Sequence, residues 1–195
     1  MKDRIKEIFE ESRAVKQETL TQNVELIVEA VEMIIHSLKS HGKILFFGNG
    51  GSAADSQHVA AEFIGRFQKE RRALAAIALT TDSSILTCLS NDYDYRIVFS
   101  RQIEALGRPG DIAFGFSTSG NSENVIAGIE QAGKQGLKTI VLTGCGGGKL
   151  KGMADVHIDV PSQSTARIQE SHMCIYHTIC ELVENQIGEK THVEK

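Results

Sequence analysis

What most limits the fold of this chain is a repeated order: a short unbroken apolar run, a small polar loop, then a helical pattern. Ile44 to Phe47 leads into Asn49-Gly50-Gly51-Ser52, and Ile112 to Phe116 leads into Ser117-Thr118-Ser119-Gly120-Asn121-Ser122. Apolar runs without polar alternation suit strands covered on both faces, and helices between them call for parallel strands joined by right-handed crossovers. The pattern predicts strands over 43–47, 75–79, 111–116, 139–142 and 156–160. Helices are expected over 53–67, 83–89, 95–106, 123–135 and 166–186. Two more helical stretches, 2–18 and 22–40, come before the first strand. The second carries Val24, Ile27, Val28, Val31, Ile34, Ile35 and Leu38 on one stripe, and Gly42 marks its end. The expected fold is α/β, a doubly wound parallel sheet of about five strands with extra amino-terminal helices. It forms a single domain over 1–195, with helices in 1–41 and the core in 42–195.

Composition narrows the function classes. A net charge of -4 and a pI near 6.0 argue against a nucleic-acid surface. Lys2, Arg4, Lys6, Arg13 and Lys16 alternate with Glu7, Glu10 and Glu11 and read as a solvated helix face. The apolar Ile5, Ile8, Phe9 and Val15 on the same helix suit packing either on a neighbouring subunit or back on the chain itself. No stretch approaches the roughly 20 apolar residues of a membrane span. The amino terminus has no signal-peptide pattern, so a cytoplasmic protein without a membrane partner is expected. Cys88, Cys145, Cys174 and Cys180 lack metal-site spacing and read as reduced, buried structural thiols.

In such sheets ligands bind beyond the carboxyl ends of the strands. Both polar loops fall there, each opening a helix whose amino-terminal N–H groups and dipole attract an anion. A phosphate is the natural guest, although Asn-Gly-Gly is also a common turn and Ser/Thr-rich loops also cap helices. In the helix after the first loop, His58 and Glu62 are four residues apart and share a face. The pair suits a divalent metal such as zinc, a carboxylate base with a histidine partner, or an ordinary surface contact. The closing helix offers Gln169, Glu170, His172 and His177, of which Gln169 and His177 project together. His172 falls at another angle and reads as a solvent or interface residue. Thr143 to Lys149 lacks the nucleotide-binding GxxxxGK[ST] arrangement and reads as a flexible turn.

Taken together, Phe47-Gly48-Asn49-Gly50-Gly51-Ser52, His58 to Glu62, Ser90-Asn91-Asp92, Ser117 to Ser122 and Arg167-Ile168-Gln169-Glu170 with His177 resemble the sugar isomerase (SIS) family, in particular its phosphoheptose isomerases. The resemblance runs nearly end to end and implies a flavodoxin-like sheet. It implies interconversion of sedoheptulose 7-phosphate and D-glycero-D-manno-heptose 7-phosphate through an enediol, the entry step to bacterial heptose. It also implies a homotetramer with active sites between subunits. Substrate contacts are implied for Asn49, Gly50, Gly51, Ser52, Glu62, Asn91, Asp92, Ser117, Thr118, Ser119, Ser122 and Gln169, and a zinc site for His58, Glu62, Gln169 and His177. Glu62 and His177 would carry the proton transfers. Where some family members have an acidic residue before Arg-Ile-Gln-Glu, this chain has Ala166, which bears on fine substrate preference. The Ala-Arg-Ile-Gln-Glu stretch is equally similar to a non-enzymatic SIS protein that binds a replication initiator. Glu62 and His177 together, with the intact Asn49 to Ser52 loop, separate the enzyme from that alternative.

Overall fold

Five parallel strands, β1 (Ile44–Gly48), β2 (Ala76–Ala78), β3 (Ile112–Ser117), β4 (Lys138–Gly144) and β5 (Val156–Val160), form one sheet in the order β2-β1-β3-β4-β5. The computed structural model describes residues 1–187; the last part of the expected 42–195 core lies outside them. Six α-helices, α1 (Lys2–Lys39), α2 (Gly51–Ile64), α3 (Ser83–Asp92), α4 (Val98–Leu106), α5 (Glu123–Lys134) and α6 (Thr165–Ile187), cover the two faces. Successive strand side chains point to opposite faces. Ile44, Phe46, Ile112, Phe114 and Phe116 therefore pack under α1, α2 and α6, while Leu45, Phe47, Ala113 and Val141 pack under α3, α4 and α5. The expected doubly wound architecture is what forms.

The amino-terminal region departs from expectation. Instead of two helices there is one, 38 residues long, or about 57 Å at 1.5 Å per residue. Thr19 and Thr21, where a break was expected, bond their hydroxyls to the carbonyls of Val15 and Gln17 one turn back and stay within the helix. The helix stops at His41, which takes the left-handed conformation at φ 64°. Gly42 is needed for a different reason: a Cβ there would lie 2.8 Å from the Gly110 carbonyl oxygen. The carboxyl half of α1 buries Ile27, Ala30, Val31, Ile34 and Leu38 in the core, while Phe9 in the amino half is 72% exposed.

Smaller differences have local causes. The helix expected over 95–106 opens with a 3₁₀ turn, Tyr95–Ile97, before α4. Cys88 and Cys174 are exposed rather than buried, because they lie on the outward faces of α3 and α6, whereas Cys180 lies on the buried stripe. His172 is not a solvent residue. It lies four residues after Ile168 on the sheet-facing stripe of α6, is wholly buried, and its Nε2 donates to the Thr143 carbonyl at 3.0 Å. Burial lowers its pKa to about 4. The turn after β4 does not hang free: the N–H groups of Lys149 and Leu150 donate to Asn121 Oδ1 and the Gly120 carbonyl, both at 3.0 Å.

Candidate functional site

The register brings the polar loops together. Gly48 at the end of β1 pairs with Phe116 of β3, so both loops leave neighbouring strands at one edge of the sheet. The connections diverge there, α2 to one face and α5 to the other, which makes this the switch point where α/β sheets bind ligands. Asn49 links the loops, exchanging two 2.8 Å hydrogen bonds with Asn124 on α5 and accepting a third from the Tyr95 hydroxyl at 3.1 Å.

Both loops leave helix amino termini open. The helix α3 is capped by Asp82, whose side chain accepts from the Ile85 N–H. By contrast, no side chain caps α2 at Gly50 or α5 at Ser122. The Ser122 hydroxyl accepts from Ser117 at 2.9 Å instead. Uncapped N–H groups beside hydroxyls form an anion cradle. Gly120, at φ 65°, sits directly against the Gly147 carbonyl, with no room for a side chain. The glycine turn after β4 is therefore a backing plate for the Ser117 to Ser122 loop.

The second half of the site lies between α2 and α6, which run in parallel. At their amino ends Gln169 packs on Gly51: a Cβ on that glycine would lie 2.5 Å from Gln169 Nε2. One donor atom each from His58, Glu62 and His177 lies within 4.8 Å of the others. His58 Nε2 is 3.1 Å from Glu62 Oε1, and the His58 and His177 rings meet edge-on with centroids 5.0 Å apart. His177 Nε2 is buried and has no hydrogen-bond partner among the described residues. Burial, with the neighbouring His58, lowers the His177 pKa against the opposing pull of Glu62. An imidazole with an unpaired buried nitrogen beside a second imidazole and a carboxylate fits a divalent metal. Asn91 and Asp92 lie at the carboxyl end of α3, hydrogen-bonded to each other at 2.8 Å rather than to either loop.

Several neighbours of the site gave no separate signal in the sequence. Asp55 precedes His58 by three residues, and Tyr176 adjoins His177; the Tyr176 hydroxyl bridges them, 3.1 Å from His58 Nδ1 and 3.4 Å from Asp55 Oδ1. The i, i+3, i+7 spacing of Asp55, His58 and Glu62 was the available clue, since it puts all three on one helical side. Below them, Arg71 and Glu184 form a pair at 3.2 Å with side chains only 2% exposed. Glu184 accepts the N–H groups of Phe67, Gln68 and Lys69, and Arg71 donates to the carbonyls of Glu62, Phe63 and Gly65. This clamp ends α2 and holds the Phe67 ring 5.3 Å from His177. At the other end of α6, Glu170 accepts from Ser12, and Arg167 donates to the Ile8 carbonyl, tying the Arg-Ile-Gln-Glu stretch to α1.

A parallel sheet with two uncapped helix amino termini at its switch point is the arrangement of an α/β protein that binds an anionic ligand. Comparison with known proteins agrees. Residues 7–144 match the SIS domain family. Phosphoheptose isomerase from Aquifex aeolicus is 52% identical over 98% of this chain and 100% of that protein. The enzyme of the same name from Thermodesulfovibrio yellowstonii is 51% identical, over 97% of this chain and 94% of that protein. Among solved structures, phosphoheptose isomerase GmhA from Neisseria gonorrhoeae superposes with a TM-score of 0.90 at 46% identity, covering 94% of this chain and 98% of that one. A phosphoheptose isomerase from Francisella tularensis gives a TM-score of 0.90 at 37% identity, covering 94% and 97% of the two chains. The chain belongs to the SIS-domain family, within its phosphoheptose isomerases.

Proposed function

We propose that the chain isomerises sedoheptulose 7-phosphate to D-glycero-D-manno-heptose 7-phosphate. The observation that carries this reading is the meeting of Glu62 and His177 across α2 and α6, in a chain whose two anion cradles open at the carboxyl edge of the sheet. Glu62 lies about 17 Å along α2 from the cradle at Gly51, a gap that a site shared between subunits would close. The Ser117, Thr118, Ser119 and Ser122 hydroxyls and the free N–H groups of α5 hold the phosphate and fix the far end of the opened sugar. Asn49, Gly50, Gly51, Ser52, Asn91, Asp92 and Gln169 take its remaining hydroxyls.

Glu62 removes a proton from C1, next to the C2 carbonyl, while O2 gains one, giving a cis-enediol. Return of the carbon proton to C2, with loss of the O1 proton, yields the aldose. A carboxylate on one face of the enediol can serve both carbons. Oε1 of Glu62 lies beside His58, which leaves Oε2 for the carbon proton. His58, Glu62 and His177 would hold zinc; bound there, the ion would polarise the sugar oxygens and order the site. Gln169, packed on Gly51 about 12 Å up α6 from His177, would join them as a ligand only from a neighbouring subunit. A coordinated nitrogen carries no proton, so His177 would offer its unpaired Nε2 to the metal and keep Nδ1 for proton exchange at the oxygens.

The assembly we propose is a homotetramer with active sites between subunits. Supporting it, Ile5, Phe9, Leu20, Val24 and Val28 of α1 are all exposed, apolar side chains that a neighbouring subunit would cover. Among the described residues no helix is long and apolar enough to cross a membrane. Cytoplasmic work is our reading from the phosphorylated substrate.

The test is NMR of the zinc-loaded protein with sedoheptulose 7-phosphate. Aldoheptose phosphate should appear, and should not appear with Glu62→Gln or His177→Ala, while Glu62→Gln still binds inorganic phosphate. Binding without turnover in the metal-replete parent protein would refute the assignment and point to the partner-binding relative.

A further inference from the structure

Asp55 and Tyr176 lie outside the substrate and metal set, yet they form an unbroken polar path to it. Tyr176 is wholly buried, its ring pinned edge-on against Phe116 and His177 at 6.2 and 4.7 Å between centroids. Asp55 is buried as well, and among the described residues Tyr176 is the one side chain that donates to its carboxylate. An ionised carboxylate only accepts hydrogen bonds, and a phenol has a single proton to give. If that proton goes to Asp55, the phenol oxygen must accept from His58, which places a hydrogen on Nδ1 and leaves Nε2 with a free lone pair. The opposite arrangement turns the phenol proton to Nδ1 and strips a buried carboxylate of its donor, a larger penalty than any gained hydrogen bond offsets.

We propose that Asp55 and Tyr176 form a relay that holds His58 as its Nδ1–H tautomer and so presents Nε2 to a divalent metal shared with Glu62 and His177. Both are positioning residues, acting through His58 rather than on the sugar. The inference rests on the metal-site reading above. It follows the wider rule that a metal-ligating histidine is oriented by the partner of its other nitrogen, here with a phenol inserted before the carboxylate. Burial raises the Asp55 pKa, and the Tyr176 hydrogen bond pulls against that rise.

The experiment uses full-length protein labelled with ¹⁵N-histidine, free and zinc-loaded, with zinc affinity measured by competition against a chromophoric chelator. In the loaded parent protein, His58 should show a protonated Nδ1 and a metal-bound Nε2. Tyr176→Phe keeps the packed ring and removes only the hydroxyl. Asp55→Ala leaves the hydroxyl but frees it to donate to Nδ1, favouring the tautomer that cannot ligate through Nε2. Each should weaken zinc binding by about 10- to 100-fold, and Asp55→Ala should shift the metal-free ring towards Nε2–H. A side chain that merely fills space would not move the tautomer signals, so parent-like spectra and affinity in both folded variants would overturn the relay. If the parent protein takes up no zinc, the metal-site reading itself fails.

Discussion

Replacing Glu184 by Gln tests whether the buried clamp under α2 and α6 holds the site in place. The substitution preserves volume and removes one charge. It leaves the Arg71 guanidinium buried beside a neutral amide, and replaces one of the two oxygens that share three backbone N–H donors at 2.7 to 2.9 Å with an NH₂ that cannot accept. Removing one member of a buried pair costs about 3–5 kcal/mol, because the partner charge stays desolvated. For a chain of this size that corresponds to a fall in Tm of roughly 6–20 °C. The control is Glu10→Gln, which breaks the 2.6 Å pair with Arg13 between side chains 64% and 79% exposed; it should cost under about 1 kcal/mol. The assay is urea unfolding at neutral pH, with zinc affinity followed in parallel. Because the clamp holds Phe67 against His177 and caps α2 just after Glu62, Glu184→Gln should weaken zinc binding even where the protein remains folded. A loss of stability no larger than that of Glu10→Gln would refute the reasoning. The sign with pH is also fixed. Burial raises the Glu184 pKa, but the three N–H groups and Arg71 outweigh it and hold the carboxyl below its usual value. Its contribution is thus complete above the unfolded carboxyl pKa of about 4.3 and is lost as pH falls through the folded value.

His172 adds a second pH dependence. Its pKa of about 4 lies below the unfolded value, so the unfolded chain takes up a proton first as pH falls, and stability should drop by about 3 kcal/mol from pH 6.5 towards 4. His172→Gln, which can still donate to Thr143, should flatten that part of a stability–pH curve measured by urea titration; an unchanged slope would exclude His172 as its source. Gly120→Ala should raise the Kd for inorganic phosphate more than about tenfold by calorimetry, since a left-handed alanine costs about 1–2 kcal/mol before the clash with Gly147 is counted. A parent-like Kd would show that the glycine turn does not back the cradle.

The fold was legible because strand runs such as Ile112 to Phe116 carry their burial in composition, and because each polar loop marks a strand end. The five strands lie within two residues of their expected limits for the same reason. The long α1 was not legible: Thr19 and Thr21 read as a break until their hydroxyls are seen bonded one turn back. In the site, the spacing of His58 and Glu62 put them on one side of a helix, and Gln169 with His177 on one side of another. That the two sides face each other is a tertiary fact, fixed by contacts from Gln169 to Gly51 and from Glu184 to the loop after α2. His172 escaped notice because a histidine on a buried stripe looks no different in sequence from one on an exposed stripe. Asp55 and Tyr176 matter only through each other, across 121 positions of chain.

The parallel helices α2 and α6 are held to each other at both ends, by Gln169 on Gly51 and by Glu184 on residues 67–69. Fastening at two points turns spacing into an inheritance more rigid than lettering. One residue inserted between Gln169 and His177 would swing the imidazole about 100° around its helix, away from Glu62, while the clamp pulled it back. Many outward-facing residues of that stretch, Met173 and Cys174 among them, are free to drift, but the number of residues between the two fastenings is not. Among descendants of this sequence, insertions and deletions should gather in the loops at the far edge of the sheet and spare the run from Gln169 to Glu184.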